Sequence, residues 1–264
     1  MTRAELQFLV NQVADQILGP VAVAPGTPAA ARKTSAPALS GVELAATMDH
    51  TNLHPETTRG QVLQLCEEAL KWRFASVCVH SIWVSFAHAI LRGSPVKVCT
   101  VAGFPSGAVP PTVKRLEAEI ALRNGADEID MVVPLGLLRG GELDMVRQDI
   151  ATVAEATAGR GAVLKVILEA AALTEREIAV GCALARLGGA QFVKTSTGLH
   201  PAGGARVEHV AWMRKAVGND LGVKAAGGIR TLDAALAMLG AGANRIGTSA
   251  AVAILSSLKS TTGG

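Results

Sequence analysis

Three lysines sit in the middle of apolar, β-prone runs: Lys165 in LKVILEA, Lys194 in FVKTSTGLH and Lys224 in GVKAAGG. Lysine is almost never fully buried without a partner or a task. Side chains alternate along a strand, so Lys165 shares a face with Ile167, Lys194 with Phe192 and Ser196, and Lys224 with Ala226, while Val166 and Val193 face the other way. Asp130, on one face with Val132, and Asp49 project in the same inward sense. Desolvation and mutual repulsion both disfavour the ammonium form, so at least one of the lysines is expected to have a lowered pKa. A neutral amine attacks carbonyls and forms a Schiff base. Lys194, flanked by the other two, is the best-placed nucleophile. A single such lysine is as readily an ion-paired core residue. Three of them beside two aspartates are poorly explained that way.

A second chemistry lies in the glycine-rich turns TGLHPAGGA, AAGGIRT and IGTSAA. Glycine lets backbone N–H groups approach an anion closely, and a following helix N-terminus adds its dipole. One Gly-Gly is weak evidence, since tight turns need glycine anyway; three such turns point to a phosphorylated substrate. The six histidines show neither H-x-H nor H-E-x-x-H spacing, so no metal and no cofactor is expected. His50 and His80 fall at strand ends and are the two that could reach a substrate.

The elements that must position these residues alternate steadily from about Ser40. Strands are expected at 45–51, 75–80, 97–103, 128–134, 164–169, 191–197, 222–228 and 245–249, with amphipathic helical stretches such as 57–72, 112–124, 142–157 and 174–187 between them. Eight βα units predict a closed parallel (β/α)8 barrel, which places the lysines on strands five, six and seven, inside and near the C-terminal mouth. An open doubly wound sheet would show G-x-G-x-x-G after its first strand, and DHTNLHPETT has none. Residues 1–20 form a separate amphipathic helix: Leu6, Leu9, Val10, Val13 and Ile17 share a face, Thr2 and Glu5 have capping-box spacing, and Gly19-Pro20 supplies a stop. Residues 21–39 read as a Pro/Ala-rich linker, and 40–264 as the barrel domain.

Composition narrows the function classes. The 264 residues are 49% hydrophobic and 18% charged, which excludes a largely disordered chain. An excess of 25 Lys and Arg over 22 Asp and Glu is too small, with no basic run, to suggest nucleic acid. No apolar run is long enough for a membrane span, and the N-terminus lacks the layout of a secretory signal. Four cysteines without a C-x-x-C pair suit a reducing cytoplasm.

The segments MDHTNLHPETT, ASVCVH, VAGFPSGA, GADEIDMVVPLG, LKVILE, FVKTSTG, VKAAGGIRT and RIGTSAAVAIL resemble, in order over roughly 42–255, the signatures of the 2-deoxy-D-ribose-5-phosphate aldolase family. The resemblance implies a (β/α)8 TIM barrel and a class I aldolase that reversibly cleaves 2-deoxy-D-ribose 5-phosphate to D-glyceraldehyde 3-phosphate and acetaldehyde. By that likeness Lys194 is the Schiff-base nucleophile. Lys224 lowers its pKa and shares proton transfers with Asp130. Asp49, Thr51, Cys78 and Lys165 line the site, and Gly198, Gly227, Gly228, Gly247 and Ser249 form the phosphate pocket. The expected partners are the phosphorylated sugar and further copies of the chain, a dimer first.

Some features depart from the family. The chain has no tyrosine, so the C-terminal tyrosine that some members use to protonate the enamine has no counterpart, and that step is expected to use another donor. Leu199 stands where some relatives carry a lysine, and Ala250 where some carry serine. The N-terminal helix and linker resemble a bacterial microcompartment encapsulation peptide, which implies helix-in-groove binding to a shell; the alternative is a helix packed on the barrel or at an oligomer interface. Two other functions fit the same fold: a Schiff-base aldolase with a different acceptor aldehyde, and a non-catalytic cargo or scaffold barrel. The latter would show loss of Lys194, Lys224 or Asp130, and none is lost.

Overall fold

A computed structural model describes residues 2–18 and 39–261. The linker expected at 21–39 and the stop expected at Gly19-Pro20 therefore lie almost wholly outside the described residues. In chain order the elements are α1 (Arg3–Leu18), α2 (Gly41–Ala45), β1 (Met48–Asn52), α3 (Arg59–Trp72), β2 (Ser76–Val79), α4 (Val84–Leu91), β3 (Lys97–Ala102), α5 (Pro111–Arg123), β4 (Glu128–Val132), α6 (Leu135–Arg139) and α7 (Leu143–Ala158). They continue with β5 (Val163–Ile167), α8 (Glu175–Leu187), β6 (Phe192–Lys194), α9 (Val207–Val217), β7 (Gly222–Ala226), α10 (Leu232–Gly240), β8 (Arg245–Thr248) and α11 (Ala251–Thr261).

The eight strands pair in sequence order, all parallel, and β8 closes on β1 through Met48↔Ile246 and His50↔Thr248. Each strand is flanked on one side by apolar side chains that the helices cover: Val77, Ile129, Leu164, Val166, Val193, Val223 and Ile246 are fully buried. Burying each such side chain is worth about 1.5–3 kcal/mol. Helix starts are fixed locally. Thr58 with Gln61 and Thr174 with Glu177 close capping boxes at α3 and α8, and Pro111 opens α5 where its missing N–H costs nothing. The strands are shorter than expected at their C-terminal ends, because residues such as 195–197 and 227–228 leave the ladder to build the rim of the mouth. At the first strand, 45–47 complete α2 and its turn instead.

α1 begins with the expected capping box, Thr2 N–H to Glu5 Oε2 at 2.6 Å and Glu5 N–H to Thr2 Oγ1 at 3.2 Å. It packs chiefly on α8, with further contacts to α9 and α7, burying Leu6, Val10 and Ala14; Arg176 of α8 donates to Asp15 and Asn11. Leu6 and Val10 of its apolar stripe are therefore covered by the barrel. On the far side, the buried Lys114 of α5 donates to the Val132 carbonyl (2.8 Å) and to Asp149 of α7 (2.7 Å), tying two helices to the C-terminal end of β4.

Candidate active site

Register and alternation deliver the inward residues to one another. β4 pairs Asp130 with Lys165, and β6 pairs Lys194 with Lys224. Asp130 is fully buried at the centre. Its Oδ2 accepts from Lys194 Nζ at 2.8 Å and from Lys224 Nζ at 2.7 Å, and its Oδ1 accepts from Lys165 Nζ at 2.9 Å and from the Cys99 thiol at 3.1 Å. Burial alone would raise its pKa. The ammonium groups of Lys165, Lys194 and Lys224 outweigh burial and hold Asp130 well below the usual carboxylate range.

The expectation that crowding lowers a lysine pKa is reversed for two of the three. Burial would lower Lys165 and Lys224, but each faces carboxylates on two sides and both are pushed up. For Lys165 these are Asp130 and Glu128, the latter at 2.5 Å. For Lys224 they are Asp130 and Asp49, whose Oδ2 lies 2.5 Å away at angles outside those of a hydrogen bond. Burial raises Asp49 too, yet Lys224 and Arg245 bring it down overall.

Above these pairs a cavity of about 190 Å³ opens at the C-terminal mouth. Lys194 forms part of its lining, and the predicted Thr51, Gly198, Gly227, Gly228, Gly247 and Ser249 line it as well. Asp49, Cys78 and Lys165 are brought to the same barrel interior but are wholly buried beneath the cavity. Space demands glycine at Gly227 and at the facing Gly204. Gly227 has φ +92°, and a Cβ on it would come within 2.9 Å of the Gly204 Cα; a Cβ on Gly204 would overlap the Gly227 carbonyl. Ser249 lies two residues before the start of α11, so the positive end of a helix adjoins this cradle. Glycine backbone, a helix N-terminus and the exposed Arg230 together suit a phosphate-sized anion some way from the amine of Lys194.

Five participants escaped the sequence reading: Glu128, Arg245, Glu169, Thr197 and Arg230. Glu128 and Arg245 stand two residues before Asp130 and Gly247, so the same strand alternation that found the lysines points to both. Glu169, buried and in the left-handed region (φ +58°), accepts from Thr197 Oγ1 at 2.5 Å and from Thr197 N–H at 3.2 Å, anchoring the loop that carries Gly198. The two histidines expected near a substrate go elsewhere, while His54 lines the cavity. His50 faces outward to Glu68 at 2.7 Å, and His80 is bonded to the Leu53 carbonyl. Cys78, Cys99 and Asp130 offer three ligand atoms within 4.8 Å of one another, but Asp130 is already taken by three ammonium groups that a cation would have to displace.

The profile of the DeoC/LacD family of aldolases matches residues 44–257. A deoxyribose-phosphate aldolase from Halalkalibacterium halodurans is 51% identical over 218 residues, covering 82% of this chain and 96% of that protein. Among solved structures, one from Coccidioides immitis, provisionally assigned as a deoxyribose-phosphate aldolase, superposes with a TM-score of 0.87 at 37% identity over 98% of both chains. The tetrameric deoxyribose phosphate aldolase from Aeropyrum pernix superposes with a TM-score of 0.79 at 32% identity, over 95% of this chain and 98% of that one.

Proposed function

The chain belongs to the DeoC/LacD family of aldolases, and from that premise we propose that it cleaves 2-deoxy-D-ribose 5-phosphate reversibly to D-glyceraldehyde 3-phosphate and acetaldehyde through a Schiff base on Lys194. The observation that carries this reading is the position of Lys194. It is the one of the three interior lysines that lines the cavity, and its Nζ shares Asp130 Oδ2 with Lys224.

The sugar's phosphate would sit in the glycine cradle, with Arg230 at the rim supplying the cation that Leu199 does not. Neutral Lys194 attacks the C1 aldehyde of the open chain to give a carbinolamine. Loss of water, with its proton supplied through Lys224 and Asp130, gives the iminium ion. The C3 hydroxyl then loses its proton as the C2–C3 bond breaks. The bond's electron pair moves into the enamine, the iminium nitrogen accepts it, and glyceraldehyde 3-phosphate leaves. Protonation of the enamine carbon and addition of water release acetaldehyde and restore the amine. Asp130, held strongly acidic, relays protons between ammonium groups rather than storing one.

Borohydride reduction in the presence of 2-deoxy-D-ribose 5-phosphate, followed by peptide mapping, is expected to leave a stable adduct on the peptide containing Lys194. A folded protein that gives no adduct there would sink this assignment.

Glu169 is expected to act on affinity rather than chemistry. Glu169→Ala frees Thr197 and loosens the Gly198 loop, losing a charged hydrogen bond worth about 1.5–3 kcal/mol. The KM for the phosphorylated sugar should rise on the order of tenfold. Cleavage of free 2-deoxyribose should change little, and an equal loss on both sugars would contradict the role.

Helix α1 (Arg3–Leu18) reads best as a packing element of the barrel. A shell-targeting role would require α1 to leave α8 and expose Leu6, Val10 and Ala14. The match to the Coccidioides immitis structure also extends into this segment.

A further inference from the structure

Below the cavity five buried charges and the partly buried Arg245 close into a ring of alternating sign. From Asp130 it runs to Lys224 (2.7 Å), Asp49 (2.5 Å), Arg245, Glu128 (3.0 Å), Lys165 (2.5 Å) and back to Asp130 (2.9 Å). Three carboxylates and three cations balance. Lys194 is the seventh charged group and is ion-paired with Asp130 alone. Glu128 and Arg245 open β4 and β8 at the end of the barrel away from the cavity, and neither lines it.

We propose that Glu128 and Arg245 are positioning residues for the aldol reaction, closing a neutral ring that makes the Lys194 proton the one surplus charge in the interior. Burying net charge costs several kcal/mol, whereas a balanced, hydrogen-bonded set largely avoids that cost. With Lys194 protonated the interior carries +1; with Lys194 neutral it carries none. The surplus charge therefore stands on the amine that lines the substrate cavity. Lys165 and Lys224, each braced between two carboxylates, keep theirs, and both are pushed upward.

Among the other titratable groups facing Lys194, Cys78 is the one that bears on this balance. Cys99 on β3 is a thiol pushed well up by burial, and it donates to Asp130. Cys78 on β2 is lowered by its hydrogen bond to Cys99; as a thiol it leaves the sum unchanged, whereas as a thiolate it would add one negative charge and balance the Lys194 ammonium instead. His54 and Arg230 lie on the cavity wall, and Glu169 is turned toward Thr197.

This inference rests on Lys194 as the Schiff-base residue, and the test separates the two. The pH dependence of borohydride trapping at Lys194 and of kcat/KM would be measured for the unmutated protein, Glu128→Gln, Arg245→Gln, the double variant and Arg245→Lys. One charge acting across the interior moves the acid limb by about one pH unit. Glu128→Gln removes a negative charge and should shift the limb to lower pH. Arg245→Gln removes a positive charge and should shift it to higher pH. The double variant and Arg245→Lys should return it close to the starting position. If only one of the two single variants folds, the sign of its shift decides alone. A merely structural role predicts reduced stability with the limb unmoved, or moved the same way in both, and either result overturns the inference. No adduct on Lys194 in the unmutated protein removes the Schiff-base assignment and this inference with it. An adduct with unmoved limbs removes the inference alone.

Discussion

Lys194→Met is expected to lower kcat for cleavage of 2-deoxy-D-ribose 5-phosphate on the order of 10⁴-fold or more, because it deletes the only atom that bonds to the substrate. Methionine keeps the apolar stem and fills the same strand position. Neither of the other interior lysines can stand in, since Lys165 and Lys224 are wholly buried and braced by carboxylates. The variant should stay folded, because Asp130 retains Lys165, Lys224 and the Cys99 thiol. Steady-state kinetics with a thermal melt and borohydride trapping check all three points. Activity within tenfold of the unmutated protein would contradict the assignment.

Asp130→Asn should be nearly as damaging to turnover and more damaging to the fold. The carboxylate accepts from three lysines, and losing its charge leaves an uncompensated positive interior. The expected losses are about 10²–10⁴-fold in kcat and roughly 3–5 kcal/mol in stability. The second loss depends on pH in a defined direction. The native carboxyl is held well below its unfolded value of about 3.9, so its contribution is complete above that value and is lost as pH falls toward the native one. Denaturant unfolding should show a wide gap between the two proteins near pH 7 and a narrowing gap below about pH 4. A constant gap would mean the asparagine disturbs packing rather than charge.

Much of the site was legible because β-structure has a period of two. Once Lys165, Lys194 and Lys224 were placed on one face, Asp130 and Asp49 followed, and the barrel closed on them as the βα alternation implied. What that period does not encode is who pairs with whom. The lysines looked crowded by one another in sequence; in space a carboxylate stands between each neighbouring pair, and two pKa shifts changed sign. Lys114 shows the complementary failure. On the helix KRLEAE it has the spacing of a solvated face, yet it is fully buried against Asp149 and the end of β4. Helical periodicity marks an apolar stripe but not a polar residue that folds back beneath a loop. Glu169 was hidden for a related reason, since its role depends on a left-handed backbone turn at the end of β5.

The Gly198, Gly204 and Gly227 backbones touch, which bears on how this enzyme could change its preference. On the proposed phosphate role, a pocket that grips an anion through peptide N–H groups offers evolution no side chain to delete. Exchanging Gly204 or Gly227 would push one loop off the other, and a side chain on Gly198 would strain its φ of +84°, so each change would cost the fold before it altered selectivity. A lineage drifting toward uncharged sugars would have to add bulk or negative charge at the rim, around Leu199, Arg230 or Ser249. Its taste for phosphate is thus written into the scaffold, while its tolerance of other aldehydes stays open to adjustment at the surface.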